Sequence, residues 1–305
     1  YELGVGDVEP VSAEHGLGTI ELLYRVIDLL GEDVEEISDE DIIRVAIVGR
    51  PNAGKSSLLN KLIGSERAIV SDVAGTTRDS IDTVFEHNGK RYLFIDTAGI
   101  RKKSKVNQEI EAYAVMDAIR CIERSHVVLL VIDAEAGPST QDEKIAGLID
   151  DRSRCVSVIV NKWDLIEKKE TNTAKDYTER VHSEMPFLSF APVMYLSALT
   201  GQRVEKVFTM IDGLREQASK KIKTSVLNEA MTKITRAHRH PVFAGHEVKF
   251  YYATQTATMP PRFTIFSNYP EQVEDSYLRY MVNRLREELG LEDVPIRMTI
   301  RQRER

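Results

Sequence analysis

Apolar residues along the chain fall into two alternating rhythms. Three runs are apolar on both faces: Arg44 to Val48, His126 to Asp133 and Cys155 to Val160. Short runs rich in β-branched residues read as strands buried on both sides. Weaker strand patterns lie at 81–86, 91–95 and 193–196, and helical spacing of apolar residues marks 55–64, 107–123, 139–150, 173–184 and 202–216. Strand alternating with helix predicts an α/β fold, a mostly parallel sheet with helices on both faces. In such sheets ligands bind beyond the carboxyl ends of the strands.

The rhythm changes near residue 219. A helical pattern at 220–239 carries Val226, Leu227, Ala230 and Ile234 on one face. Strand-like runs at 246–253 and 262–266, a helix at 277–286 and a strand at 296–301 follow. The order α-β-β-α-β predicts a small three-stranded α+β unit. Its strand aromatics, Phe250, Tyr252, Phe263 and Phe266, read as core. At the other end, residues 31–41 contain seven acids and read as a solvated linker. Ahead of it, Ser12-Ala13-Glu14-His15-Gly16 and a helical pattern to Leu30 echo Ser197-Ala198-Leu199-Thr200-Gly201 and its helix, 185 residues later. That short repeat suggests two tandem copies of one fold in a longer parent, as does a chain that starts at Tyr1 without methionine.

The expected division is therefore a remnant at 1–30, a linker at 31–41, one α/β domain at 42–218 and a smaller module at 219–305. At 42% hydrophobic and 29% charged residues the composition is that of a soluble globular protein. No apolar run approaches the roughly 20 residues that span a bilayer, so no membrane partner is expected. Cys121 and Cys155 sit in apolar segments and read as core residues of a reducing compartment, the cytoplasm. Charge is uneven: residues 1–218 hold 26 Lys and Arg against 38 Asp and Glu, residues 219–305 hold 15 against 10. A basic terminal module is compatible with a nucleic-acid partner.

The chemistry begins after the first buried run, at Gly49-Arg50-Pro51-Asn52-Ala53-Gly54-Lys55-Ser56-Ser57, with Leu58, Leu59 and Leu62 at helical spacing behind it. Strand, glycine loop and helix form the context a phosphate loop requires. Its backbone N–H groups can wrap a β-phosphate at a helix N-terminus. Lys55 can reach the β- and γ-phosphates and Ser56 can ligate magnesium. A second strand ends in Asp96-Thr97-Ala98-Gly99, where the acid can hold magnesium through water and the Gly99 N–H can meet the γ-phosphate. Cys155 to Val160 leads into Asn161-Lys162-Trp163-Asp164. A carboxylate at Asp164 can accept from guanine N1–H and N2–H₂, a donor pair adenine lacks. The Lys162 stem can cover a base face, Asn161 can brace neighbouring loops, and backbone N–H groups of Ser197-Ala198-Leu199 can meet the guanine O6. Within Ser71 to Asp79, Thr77, with Thr76 as the fallback, can close the magnesium shell while a γ-phosphate is present.

These motifs resemble the translation-factor-class GTPases of the Era-like group over residues 42–216. Over the whole chain they resemble the bacterial tandem-GTPase ribosome-assembly family called Der or EngA. The residues that carry the resemblance are the phosphate loop, Gly75 to Asp79, Asp96 to Ile100, Asn161 to Asp164 and Ser197 to Leu199. The resemblance implies a phosphate-loop GTPase domain followed by a KH-like domain, with the first GTPase domain largely missing. It implies GTP and GDP with magnesium as ligands, and the large ribosomal subunit and its rRNA as partners. It also implies a monomer, with no DNA. Two departures stand out. Ile100 occupies the place of a water-orienting glutamine, and no Gly-x-x-Gly precedes Tyr277. For the first, the family implies a potassium ion held partly by Asn52. The catalytic set is then Lys55, Thr77, Asn52 and Gly99. The alternative function is a nucleotide-gated RNA-binding module with negligible turnover.

Overall fold

The structure, a computed structural model, describes residues 11–12, 42–64, 82–96, 111–167, 169–240 and 247–303, the side chains of 111–115 excepted. The expected remnant at 1–30 and linker at 31–41 fall almost wholly outside the described residues. The chain divides into two units, 1–42 and 43–305. The first element is β1 (Ile42–Val48), and after it come α1 (Lys55–Gly64), β2 (Thr83–His87), β3 (Lys90–Phe94), α2 (Glu111–Arg124), β4 (Val127–Asp133), α3 (Thr140–Asp151) and β5 (Cys155–Asn161). The order continues with α4 (Thr173–Glu184), β6 (Val193–Tyr195), α5 (Lys206–Ser219), α6 (Thr224–Ala237), β7 (Phe250–Ala257), β8 (Arg262–Ser267), α7 (Asp275–Leu289) and β9 (Arg297–Gln302).

Six strands form one sheet in the order β2-β3-β1-β4-β5-β6. β1, β4, β5 and β6 run parallel, and β2 pairs antiparallel with β3. Successive residues of β4 enter opposite cores. Val127, Leu129 and Val131 pack with Leu58, Leu62, Phe208 and Ile211 of α1 and α5, whereas Val128, Leu130 and Ile132 pack with Ile145, Ile149 and Val181 of α3 and α4. Both faces are thus dry, which is why these strands read as unbroken apolar runs. Each fully buried Leu or Ile contributes roughly 1.5–3 kcal/mol relative to exposure.

The second sheet, β7-β8-β9, pairs β7 with β8 antiparallel and β8 with β9 parallel. One face packs on α6 and α7: Ala253, Phe263 and Ile265 lie against Leu227, Ile234, Met281 and Leu285. The other face carries Tyr252, Thr254, Arg262, Thr264, Phe266, Thr299 and Arg301. α3 and the second sheet touch: Arg297 donates through Nε to Ser153 Oγ and through Nη2 to the Asp150 carbonyl.

Four expectations are corrected. The helix read over 202–216 begins at Lys206 and runs to Ser219, and the one read over 220–239 begins at Thr224. Residues 220–223 are held out of helix by tertiary hydrogen bonds. Gln255 accepts from the Ile222 N–H and donates to the Lys220 carbonyl, while Lys220 Nζ donates to the Leu289 carbonyl at 2.6 Å. The strand read over 246–253 lies at 250–257, bent by irregularities at Phe250/Tyr252 and Gln255/Ala257. Finally, Phe263 is core and Phe250 packs inward, but Phe266 is half-buried and Tyr252 is 46% exposed.

Candidate nucleotide site

The phosphate loop leaves β1 at a point where the backbone must turn left-handed. Gly49, Asn52 and Gly54 have φ of 145°, 64° and 95°. Two of these admit no side chain: a Cβ on Gly49 would stand 2.3 Å from the Val131 carbonyl oxygen, and one on Gly54 2.1 Å from Asn161 Nδ2. Glycine is required there by contact as well as by φ. Lys55 Nζ donates to the carbonyls of Gly49 and Arg50, both at 2.8 Å, so the ammonium lies folded over the loop. Ser56 follows it in the first turn of α1, and Pro51, Asn52 and Ser57 are exposed.

Arg50 ties the loop to the next strand's exit. Its Nη2 donates to the Gly137 carbonyl at 3.1 Å and its Nε lies 3.7 Å from Asp142 Oδ2. Asp142 is wholly buried in a capping box with Ser139 at the start of α3. Burial pushes its carboxyl above the usual range, against the hydrogen bond from Ser139 and the charge of Arg50.

Asn161 is the hub that brings the predicted motifs together. Buried at the end of β5, it donates from Nδ2 to the Ala53 carbonyl and accepts at Oδ1 from the Ala198 N–H, both at 2.9 Å. One amide thereby fixes the phosphate loop against the 197–199 segment. The Ser197 N–H donates to the Gln202 carbonyl. Of the three backbone donors expected to face a base, the Leu199 N–H is therefore the one left uncommitted among the described residues.

Lys162, at φ 62°, donates to Asp133 Oδ2 at 2.5 Å. Asp133 Oδ1 accepts from the N–H groups of Glu135 and Ala136. Burial works to raise the Asp133 pKa, but the hydrogen bonds of Lys162, Ala136 and Glu135 outweigh it and hold the carboxyl below its ordinary value. This pairing fixes the Lys162 ammonium at the end of β4. Two residues on, Asp164 Oδ1 is buried without a hydrogen-bond partner. An unsatisfied buried carboxylate oxygen is costly in a folded protein, and it fits a paired N–H donor on a planar ligand.

Asp96, just past β3, has φ 53°, donates its N–H to Asp82 Oδ1 at 3.0 Å, and accepts from Cys121 Sγ at 3.8 Å. Arg124 pairs with Asp82 on the other side. Burial first, then the charges of Asp96 and Asp117, push the Cys121 thiol up to about 12. Thr76, Thr77, Thr97, Ala98, Gly99 and Ile100 lie outside the described residues. No group of three His, Cys, Asp or Glu able to hold a metal occurs among the described residues. With Ser56 and Asp96 as the donors here, a hard cation would take most of its ligands from phosphate oxygens and water.

Sequence reasoning missed Asp133, Asp82 and the Arg50–Asp142 tie. Asp133 carried a signal in its position, since it ends a buried run in the same row as Asn161.

Residues 44–162 match the family described as 50S ribosome-binding GTPase, and residues 221–301 the KH-domain-like C-terminal family of EngA bacterial GTPase enzymes. The chain is 47% identical over 305 residues to GTPase Der of Heliobacterium modesticaldum, covering all of this chain and 69% of that protein. It is 46% identical over 303 residues to GTPase Der of Caldanaerobacter subterraneus subsp. tengcongensis, covering 99% of this chain and 69% of the relative. Among solved structures it is similar to Aquifex aeolicus Era bound to GDP and aluminium fluoride, with 26% identity, 86% and 93% of the two chains covered and a TM-score of 0.44.

Proposed function

We propose, from the premise that the chain belongs to the GTPase Der family, that it hydrolyses GTP and that its nucleotide state governs association with the large ribosomal subunit. The observation that carries the guanine reading is the unpartnered Asp164 Oδ1 in the same segment as Lys162, which pairs with Asp133. Asp164 accepts from guanine N1–H and N2–H₂, Lys162 covers one face of the base, and the Leu199 N–H meets O6. Lys55 releases the Gly49 and Arg50 carbonyls and moves to the β- and γ-phosphates, beside the backbone N–H groups of Gly54 to Ser57 at the N-terminus of α1. Asn161 holds both loops at fixed spacing, so base and phosphates are gripped by one rigid frame.

Ser56, Asp96 and Thr77 would hold magnesium and Asn52 a potassium ion; such cations neutralise charge that builds on the phosphoryl oxygens. Asn52, exposed and left-handed at the loop tip, is free to turn its carbonyl oxygen toward the phosphates. The ribosomal part of the reading is supported by the matched family's description and by the basic balance of residues 219–305. We assign residues 42–218 to the GTPase domain, 219–305 to the KH-like domain and 1–30 to the end of a preceding GTPase domain, in a monomeric cytoplasmic protein. The test is co-sedimentation with large subunits in GTP, GDP and no nucleotide, beside phosphate release in potassium and in sodium. Nucleotide-dependent pelleting and faster turnover in potassium are expected; equal pelleting in all three states overturns the gating, and equal rates overturn the potassium.

A further inference from the structure

The open face of the second sheet is built in three cross-strand rows. Arg262 pairs with Arg297; Thr254, Thr264 and Thr299 form the next row; Tyr252, Phe266 and Arg301 form the third. Adjacent rows stand about 6.6 Å apart, two residues along a strand. Arg262 and Arg297 of the first row and Thr264 and Thr299 of the second line a cavity of about 410 Å³, together with Phe263, Thr256, Arg301 and Ser153 at the end of α3.

Its charge is unbalanced. Arg297 is committed to Ser153 and to Asp150, whose Oδ1 lies 3.7 Å away. Arg262 and Arg301 are exposed and, among the described residues, have no ion-pair partner. Arg154 lies near enough for the charge of Arg262, after burial, to help lower its pKa. The Arg154 Nη2 donates to the Glu123 carbonyl, but its Nε is buried without a partner. The acids at hand are Asp150, Asp151 and Glu123, and Glu123 is engaged by Arg152. Guanidinium groups gathered this way repel one another and attract a polyanion. Beside them, Tyr252 stacks on Phe266 at 4.3 Å between ring centroids with the planes 17° apart, and Tyr252 is 46% exposed. A basic, hydroxyl-lined groove that runs onto an exposed aromatic pair is the arrangement with which single-stranded nucleic acid is held, phosphates on the cations and a base on the ring.

We propose that this face binds single-stranded RNA, with phosphates at Arg262 and Arg301, the exposed Thr256 and Thr299 hydroxyls along the ribose-phosphate chain and a base on Tyr252. The groove lies across the strands, not at a helix-turn-helix loop, so the missing Gly-x-x-Gly ahead of Tyr277 does not weaken it. The inference deepens the ribosomal reading by naming its RNA contact. It is tested on a roughly 12-nucleotide oligoadenylate, a length within the range of known single-strand sites, so failure of ribosome pelleting leaves the result standing. Anisotropy titrations of the full chain over a range of salt should show affinity that falls as salt rises. The double variant Arg262→Ala/Arg301→Ala should bind at least about 10-fold more weakly, and its log–log salt slope should be shallower by about 1.4, or 0.7 per phosphate. Tyr252→Ala should also lose about 10-fold but keep the parent slope, because stacking releases no counterions. Unchanged GTP turnover and melting temperature show that the variants are folded. No binding by the parent, or affinity of the double variant within 2-fold of it, overturns the proposal. So does a Tyr252→Ala variant that binds like the parent.

Discussion

β4 buries six of its seven residues and β7 one of its eight, so the two sheets put their chemistry in different places. The first has no free face, so its polar groups emerge where strands end: Asp133 closing β4, Asn161 closing β5, the glycine loop after β1. The second leaves one face to solvent, and side chains can be displayed in rows along it. A covered sheet fixes a few groups precisely spaced around a small ligand, while an open face offers repeated contacts to an extended one.

The largest effect that separates the two should come from truncation. Leu129→Ala, in the fully buried centre of β4, should lower unfolding free energy by about 3–4 kcal/mol, because a cavity opens between close-packed layers. Tyr252→Ala on the open face should lower it by less than about 1 kcal/mol. Urea melts of both variants measure the contrast; equal losses would mean that the second sheet's outer face is covered in solution.

At the strand ends the effect should be on binding. Asp164→Asn leaves the loop's geometry but replaces an acceptor by a partial donor, so GTP affinity should fall by roughly 2–4 kcal/mol. Xanthosine nucleotides, which carry a carbonyl at the 2-position, should bind the variant better than the parent. Calorimetry that finds GTP affinity unchanged would remove the guanine assignment.

A smaller effect concerns pH. The Asp133 carboxyl is held below its ordinary pKa, so the folded state favours the ionised form more than the unfolded chain does. That contribution is complete above the unfolded value near about 4 and is lost as pH falls below it. Asp133→Asn should therefore cost about 1 kcal/mol at neutral pH, since the Lys162 partner is a third exposed, and show less further loss on acidification than the parent. Parallel stability–pH curves for the two proteins would contradict the pairing.

How much of this can be read from residue order divides along the same line. The runs at 126–133 and 155–160 match their strands within a residue because both faces of those strands are apolar, and α1 is legible because Leu58, Leu59 and Leu62 repeat at helical spacing. The phosphate loop and the Asn161 to Asp164 segment are legible because their glycines and polar groups sit in fixed order. The shifted strand is not: Thr254, Gln255 and Thr256 carry little apolar signal, and a bulge moves Tyr252 to the open face. Nor is the break at 220–223, where no proline or glycine stands and the deciding partner, Gln255, lies more than 30 residues away. Asp82 and the Arg50–Asp142 tie depend on contacts between distant segments, which local pattern does not encode.

The smallest effect falls where the two regions meet, at Ser153. It follows the C-cap Arg152 of α3, with φ 53°, the left-handed position where helices usually place glycine. Serine there carries a backbone cost of about 1 kcal/mol. Its hydroxyl, 6% exposed as part of a buried residue, accepts from Arg297 Nε, and that bond joins α3 to β9. Ser153→Gly relieves the backbone and loses the bond, and the two terms are of similar size, so stability should change by less than about 0.5 kcal/mol. Ser153→Ala loses the bond and keeps the strain, and should be less stable than the glycine variant by about 1 kcal/mol. Both should weaken the hold on Arg297 alike and free its guanidinium for the open groove. If the alanine and glycine variants melt together, the left-handed strain is absent. If both match the parent, the Ser153–Arg297 bond adds nothing, and the hold of Asp150 on Arg297 joins α3 to β9 without it.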